Sequence, residues 1–161
     1  MGITTKRSGT PVKFDAAKAA KVISAFVPGA ILLRTAQGKS TTGNAFAPYS
    51  DSYRRTLRAM GEDEKVDLRL TGGLLNSLKV RDTVTAADYV QVTIAPDNGT
   101  SAQVVPKNKK MRKTGKRGPP HNVLGYWIHH GIGMPARPFM GLTKEQEAEL
   151  YRLLAKAKIF G

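Results

Sequence analysis

With 161 residues, 40 % of them hydrophobic and 24 % charged, the chain has the size and composition of one globular domain with a core of its own. It contains no cysteine, which excludes a disulfide framework and any thiolate metal site. Twenty-six Lys and Arg against 12 Asp and Glu leave a net charge of +14 and a pI near 10.3, an excess that favours a polyanion or an acidic protein surface as partner.

Residues 1–12 are polar, small and basic and read as a flexible arm, with a single domain over 13–161. The opening "MGITTKRSGTPVKF" lacks the apolar stretch of a signal peptide. Phe14 to Val27 carries a helical stripe (Phe14, Ala17, Ala20 or Lys21, Ile23 or Ser24, Val27), which Pro28 stops or kinks before "AILLRTAQ" adds two turns up to Gly38. The longest apolar run, "AFVPGAILL", is broken by Pro28 and Gly29 and falls short of a membrane span, so no membrane partner is expected. "GKSTTGNAFAPYS" is loop by composition, and Ser50 or Asp51 caps a helix over "DSYRRTLRAM" that Gly61 ends.

"VDLRL" alternates Val66, Leu68 and Leu70 as a strand would, and Thr71 can cap one or two turns over "GGLLNSL". Two period-2 runs, Val80 to Val84 and Val90 to Ile94, flank the turn-like "TAAD" and predict a hairpin. Asn98-Gly99-Thr100 reads as a turn rather than a glycosylation site, and residues 96–120 as a long basic loop. "NVLGYWIHHG" is a short helix or an irregular apolar segment, and "ARPFM" a short strand that Pro138 confines to an edge. Thr143 with Gln146 forms a capping box for the last helix, whose inner face is Leu150, Leu153, Leu154 and Ala157. The fold class is α+β: a small, mostly antiparallel sheet packed with N-terminal and C-terminal helices.

Half of the excess charge sits in "KNKKMRKTGKR", which holds Lys107, Lys109, Lys110, Arg112, Lys113, Lys116 and Arg117 and no acid. These residue types suit phosphates, each neutralised phosphate making binding more salt-dependent, or an acidic partner; a solvated loop is the plain alternative. With Met111 as its one apolar member and no aromatic, the run is not built for base stacking, and any nucleic-acid contact would be sequence-blind.

Other motifs fail on inspection. "GKST" at Gly38 to Thr41 has Leu33 where a phosphate loop needs glycine, and a helix where it needs a strand. "GIGMPA" has two prolines in or beside the place where a dinucleotide fold needs a helix, so it reads as a turn. His121, His129 and His130 have no carboxylate near them in sequence, and one packed histidine with two solvated ones is the expected arrangement. No nucleophile with its base and no carboxylate pair stands out, so neither catalytic residues, nor cofactor, metal or small-molecule substrate are expected.

Three segments in order, "STTGNAFAPYSDSYRR" (40–55), "DLRLTGGLLNSLKV" (67–80) and "HHGIGMPARPFMGLTKEQEAEL" (129–150), resemble the virion morphogenesis and tail-completion proteins of tailed bacteriophages. The resemblance covers roughly residues 40–95 and 125–157. It implies a non-enzymatic neck subunit in the virion, assembled in the bacterial cytoplasm as a homo-oligomeric ring, expected to be a hexamer. Such a ring finishes the tail and joins it to the head connector, beside a tail terminator or tube and around the DNA channel. On this reading Arg137, Pro138 and Phe139 are candidate interface residues, Arg137 held in a fixed direction by its flanking prolines and Phe139 the readier of the two to enter the core. The basic loop would face DNA or, slightly preferred, an acidic face of an adjacent ring, because a wall that grips DNA hinders its passage. The alternative is a sequence-nonspecific nucleic-acid-binding module of the ribosome-associated type, which accounts for the charge but not for the three motifs.

Overall fold

The computed structural model describes residues 13–68, 73–107 and 110–160. They form an α+β fold of five helices and two antiparallel hairpins. Helix α1 (Ala16–Ala36) begins at Asp15, whose side chain accepts from the Lys18 amide at 2.9 Å. It runs for 21 residues straight through Pro28. Proline removes one backbone donor, but residues on both sides are buried (Ala19 and Ala20 before it, Ile31, Arg34 and Thr35 after), so packing holds the two halves as one helix. The apolar run is therefore not broken at Pro28. By length and composition alone α1 could cross a membrane, with a mean hydropathy of 1.6 over an 18-residue window. In the fold it packs against both strands of the first hairpin and the last helix.

Helix α2 (Asp51–Met60) has the expected caps: Ser50 accepts from the Tyr53 amide at 3.3 Å, and Gly61 closes it at φ +74°. Residues 66–68 form no strand. Leu68 sits at φ +58°, outside the extended region, while Val66 and Leu68 still turn toward the core. The remainder of that expected strand and the Thr71 cap lie outside the described residues. After the single turn α3 (Gly73–Asn76), strands β1 (Lys79–Thr85) and β2 (Val90–Ala95) form the expected hairpin from Lys79 opposite Ala95 to Thr85 opposite Val90, with a register shift between Val80 and Asp82 and with Val84 left exposed.

The 96–120 segment corrects the sequence reading. Instead of a loop it contains a second hairpin, β3 (Thr100–Lys107) and β4 (Lys110–Pro120), paired from Lys107 opposite Lys110 to Thr100 opposite Pro120, with two irregularities. These strands pair with each other and not with β1 and β2. A ribbon that lies on no sheet has no reason to alternate apolar and polar residues, and Pro106, Gly115, Gly118 and Pro119 give it the composition of a loop.

Helix α4 (His121–His130) ends at Gly131, φ +78°. A Cβ there would lie 2.7 Å from the Ala136 nitrogen, so only glycine lets the chain fold back under the helix. Residues 136–140 join no ladder, contrary to the edge strand expected for them. The Pro138 carbonyl accepts from the Thr41 amide at 2.9 Å, and the Arg137 amide donates to the Ile128 carbonyl at 2.8 Å. Pro138 itself has no N–H to extend a ladder. Helix α5 (Lys144–Lys156) carries the complete Thr143/Gln146 capping box. Its inner residues Leu150, Leu153 and Leu154 are only half-buried, and none of the helix is fully covered.

The core is Ile31, Phe46, Leu74, Leu75, Leu78 and Phe139, ringed by half-buried Val27, Leu32, Val66, Leu68, Leu124, Ile128 and Met140. Gly125 lets α4 settle onto it, since a Cβ there would meet Pro96 at 3.2 Å and Leu74 at 3.4 Å. Far apart in sequence, Phe14 and Phe160 form an isolated bridge with ring centroids 5.6 Å apart, and the Asp15 amide donates to Ile159 at 2.8 Å.

Candidate interaction surfaces

The 135–141 segment is tied down by two inward-facing arginines. Arg137, expected at an interface, is 4 % exposed. Its Nε donates to the Ala47 carbonyl and its Nη2 to the Pro48 carbonyl, both at 3.0 Å, and its guanidinium stands 5.0 Å from the centre of the Tyr49 ring. Tyr53 meets Tyr49 edge-on at 4.9 Å, and burial pushes the Tyr49 hydroxyl up to about 12. Arg137 points toward the loop before α2 rather than toward solvent. Phe139 is 0 % exposed and belongs to the core, and Pro138 between them is half-buried.

The second arginine gave no signal in sequence. Arg34, on α1, donates through Nη1 to the Gly141 carbonyl at 2.7 Å and to Gln146 Oε1 at 2.6 Å, and through Nη2 to the Phe139 carbonyl at 2.5 Å. Gln146 in turn donates to the Ala30 carbonyl at 2.8 Å, so one side chain serves the α5 cap and the α1–α5 junction. Burial lowers the pKa of both guanidiniums, yet arginine remains charged in proteins. Charge-assisted bonds to carbonyls are what make such burial tolerable.

Of the seven basic residues proposed as a contact run, Lys107, Lys110, Arg112, Lys113, Lys116 and Arg117 lie on the β3–β4 ribbon, and Lys109 lies outside the described residues. The ribbon's two ends are fastened together at its root. Asp97 Oδ1 is 2.8 Å from His121 Nδ1 and accepts from the Gly99 amide at 2.9 Å, while its Oδ2 is 3.4 Å from Lys79 Nζ. The backbone completes the clasp: the His121 amide donates to Gly99 at 2.8 Å and the Asn122 amide to Asp97 at 3.1 Å. His121 is the packed histidine of the three.

The contact with His121, and the Gly99 and Lys79 contacts after it, hold the Asp97 carboxyl below the ordinary aspartate range. A depressed folded-state pKa means that the clasp contributes in full above the unfolded value and is lost as pH falls through the folded one. Asp97→Ala should therefore speed amide exchange at Gly99 and Asn122 at neutral pH, and wild type should show the same acceleration only under acid. Unchanged exchange in the variant would show that the backbone bonds suffice without the carboxylate.

At the far end of α4, Tyr126 and Trp127 are exposed, the Tyr126 ring meets that of His130 at a tilt with centroids 4.4 Å apart, and the following turn presents Ile132 and Met134. The Ile132 amide donates to the Trp127 carbonyl at 3.0 Å, which holds that turn against the helix end. His129 and His130 are adjacent at the end of α4, with rings 4.9 Å apart, and burial of His129 lowers its pKa. Among the described residues no group of three His, Asp or Glu could hold a metal ion. No family model, curated protein or solved structure matches the chain.

Proposed function

We propose that the chain is a structural subunit of a tailed-bacteriophage virion, a tail-completion or neck protein that closes into a ring, most simply a hexamer, and joins the finished tail to the head connector. The observation that carries this reading is spatial. The three segments that resemble the family lie up to a hundred residues apart, yet they supply one core, with Phe46 from the first, Leu74, Leu75 and Leu78 from the second and Phe139 from the third. Arg137 and the Thr41–Pro138 bond then lock the third segment to the first.

Incompletely covered faces favour assembly. Helix α1 is strongly apolar yet mostly half-buried, α5 has no buried residue, and Tyr126, Trp127, Ile132 and Met134 lie open. Two different apolar faces on one subunit suit a heterologous interface, which closes into a ring when the rotation permits. The role is geometric and needs no catalytic residue or cofactor; neighbouring neck and tail proteins are the partners. Light scattering of the purified chain should give about six times 17.4 kDa. A chain that stays monomeric, and whose gene can be disrupted without separating heads from tails, would overturn the proposal.

A further inference from the structure

We propose that the β3–β4 ribbon is an arm that binds duplex DNA through its phosphates, held in direction by the Asp97–His121 clasp at its root. The inference rests on the charge and pairing of the ribbon and stands whether or not the chain forms a ring.

From Asn98 to Lys144 the chain contains no Asp or Glu, while nine Lys and Arg and all three His fall there. Ribbon, α4 and the 131–144 segment thus form an acid-free third of the molecule. Positive charge along the ribbon is not neutralised from within it.

The register sharpens the point. Lys107 stands directly opposite Lys110, and Arg112, Lys113 and Arg117 stand opposite Val105, Val104 and Ala102, so no cross-strand pair supplies a counter-charge. Like charges directly across a ladder destabilise it, and a two-stranded ribbon alone is marginal in water. An anion bound along the ribbon removes both weaknesses.

Magnitudes decide between DNA and a second copy of the chain. Of the 12 acids, Asp15, Asp51, Glu64, Asp97 and Glu149 are already ion-paired within the subunit, and the rest fall in small groups: Glu62, Asp63 and Asp67 in the loop after α2, Glu145 and Glu147 in the first turn of α5, and Asp82 and Asp88 in the first hairpin. A duplex carries a phosphate charge about every 1.7 Å of axis. The eight residues of β3 span about 26 Å, a length that faces roughly 15 phosphate charges. A two-stranded ribbon also fits the major groove of B-form DNA. Binding through phosphates alone carries no sequence preference and exchanges quickly, which answers the objection that a DNA-contacting wall would block passage.

Fluorescence anisotropy of the full chain with a labelled duplex of arbitrary sequence tests this. Six phosphate contacts should weaken binding about a thousandfold between about 50 and 200 mM salt. Changing Lys107, Lys110, Arg112, Lys113, Lys116 and Arg117 to Gln should abolish binding at the upper salt and reduce the slope of log affinity against log salt by about 5. Changing six exposed cations elsewhere (Lys13, Lys21, Lys39, Arg55, Lys65 and Lys156) to Gln should cost only a few-fold. Equal losses in the two variants would mean that net charge alone attracts DNA and would overturn the assignment, as would full affinity in the ribbon variant. A readout on the unaltered chain guards against a ribbon variant that misfolds: added duplex should protect Lys107, Lys110, Lys113 and Lys116 from acetylation. Equal acetylation of these lysines with and without duplex would also overturn it.

Discussion

Replacing Arg34 by Met will destabilise the protein by about 3–5 kcal/mol, read as a lower urea midpoint at unchanged slope. The substitution keeps the side chain's bulk but deserts three acceptors, the Phe139 and Gly141 carbonyls and Gln146 Oε1, in a place where little water can replace the donor. Each buried acceptor left unsatisfied costs about 1–3 kcal/mol, and not all can relax toward solvent. Because its Nε has no hydrogen-bond partner among the described residues, Arg34 is not ideally satisfied even in the wild type, which holds the estimate below a simple sum. Arg34→Lys should recover less than half of the loss, since one ammonium cannot reproduce a planar fork aimed at diverging oxygens. A loss below about 1 kcal/mol in the Met variant would mean that the 139–146 segment is held by its apolar contacts alone.

Phe139→Ala should be as severe, at about 3–5 kcal/mol. The ring is fully buried, approached edge-on by His129 at 6.0 Å between centroids, and lies against the bare backbone of Gly125. For a chain of this length a loss of that size lowers the melting temperature by about 10 °C. Phe139→Leu should cost roughly 1–1.5 kcal/mol, because most of the volume is kept. If the Ala variant melted within about 2 °C of wild type, the core would have to be plastic around Gly125.

Elements whose signals are local were legible in the sequence. Helix α2 has Ser50 at one end and Gly61 at the other, α5 has Thr143 with Gln146, and the β1–β2 hairpin has clean alternation about a short turn. In each case the deciding contacts lie within a few residues of one another. Phe139 was readable as core from its apolar setting. The direction of Arg137 was not, because its acceptors on Ala47 and Pro48 lie about 90 residues upstream and are carbonyls, which every residue has. Arg34 was hidden for the same reason: a lone arginine near the end of an apolar helix does not announce which backbone it will reach. The ribbon was missed because basic residues, glycine and proline have the composition of a loop. Leu68 turned an apparent alternation into a bend through a single backbone angle.

The placement of α1 bears on how the protein is made. Its fixed partners Phe139, Gly141 and Gln146 lie 105 to 112 residues further along the chain, and Asp15 pairs with Ile159. Translation proceeds from the N-terminus, so this apolar helix leaves the ribosome before the β1–β2 hairpin is there to pack on it, and long before α5 and the 139–146 segment are. Contacts of such sequence separation also form late, since chain entropy is lost before they repay it. Until the C-terminal third is made, the nascent chain therefore leaves the side of α1 that meets α5 and the 139–146 segment open to its surroundings, which makes it a natural client for a chaperone that holds apolar helices. Completion of the C-terminal third, rather than emergence of the first helix, is the step that commits the polypeptide to its fold.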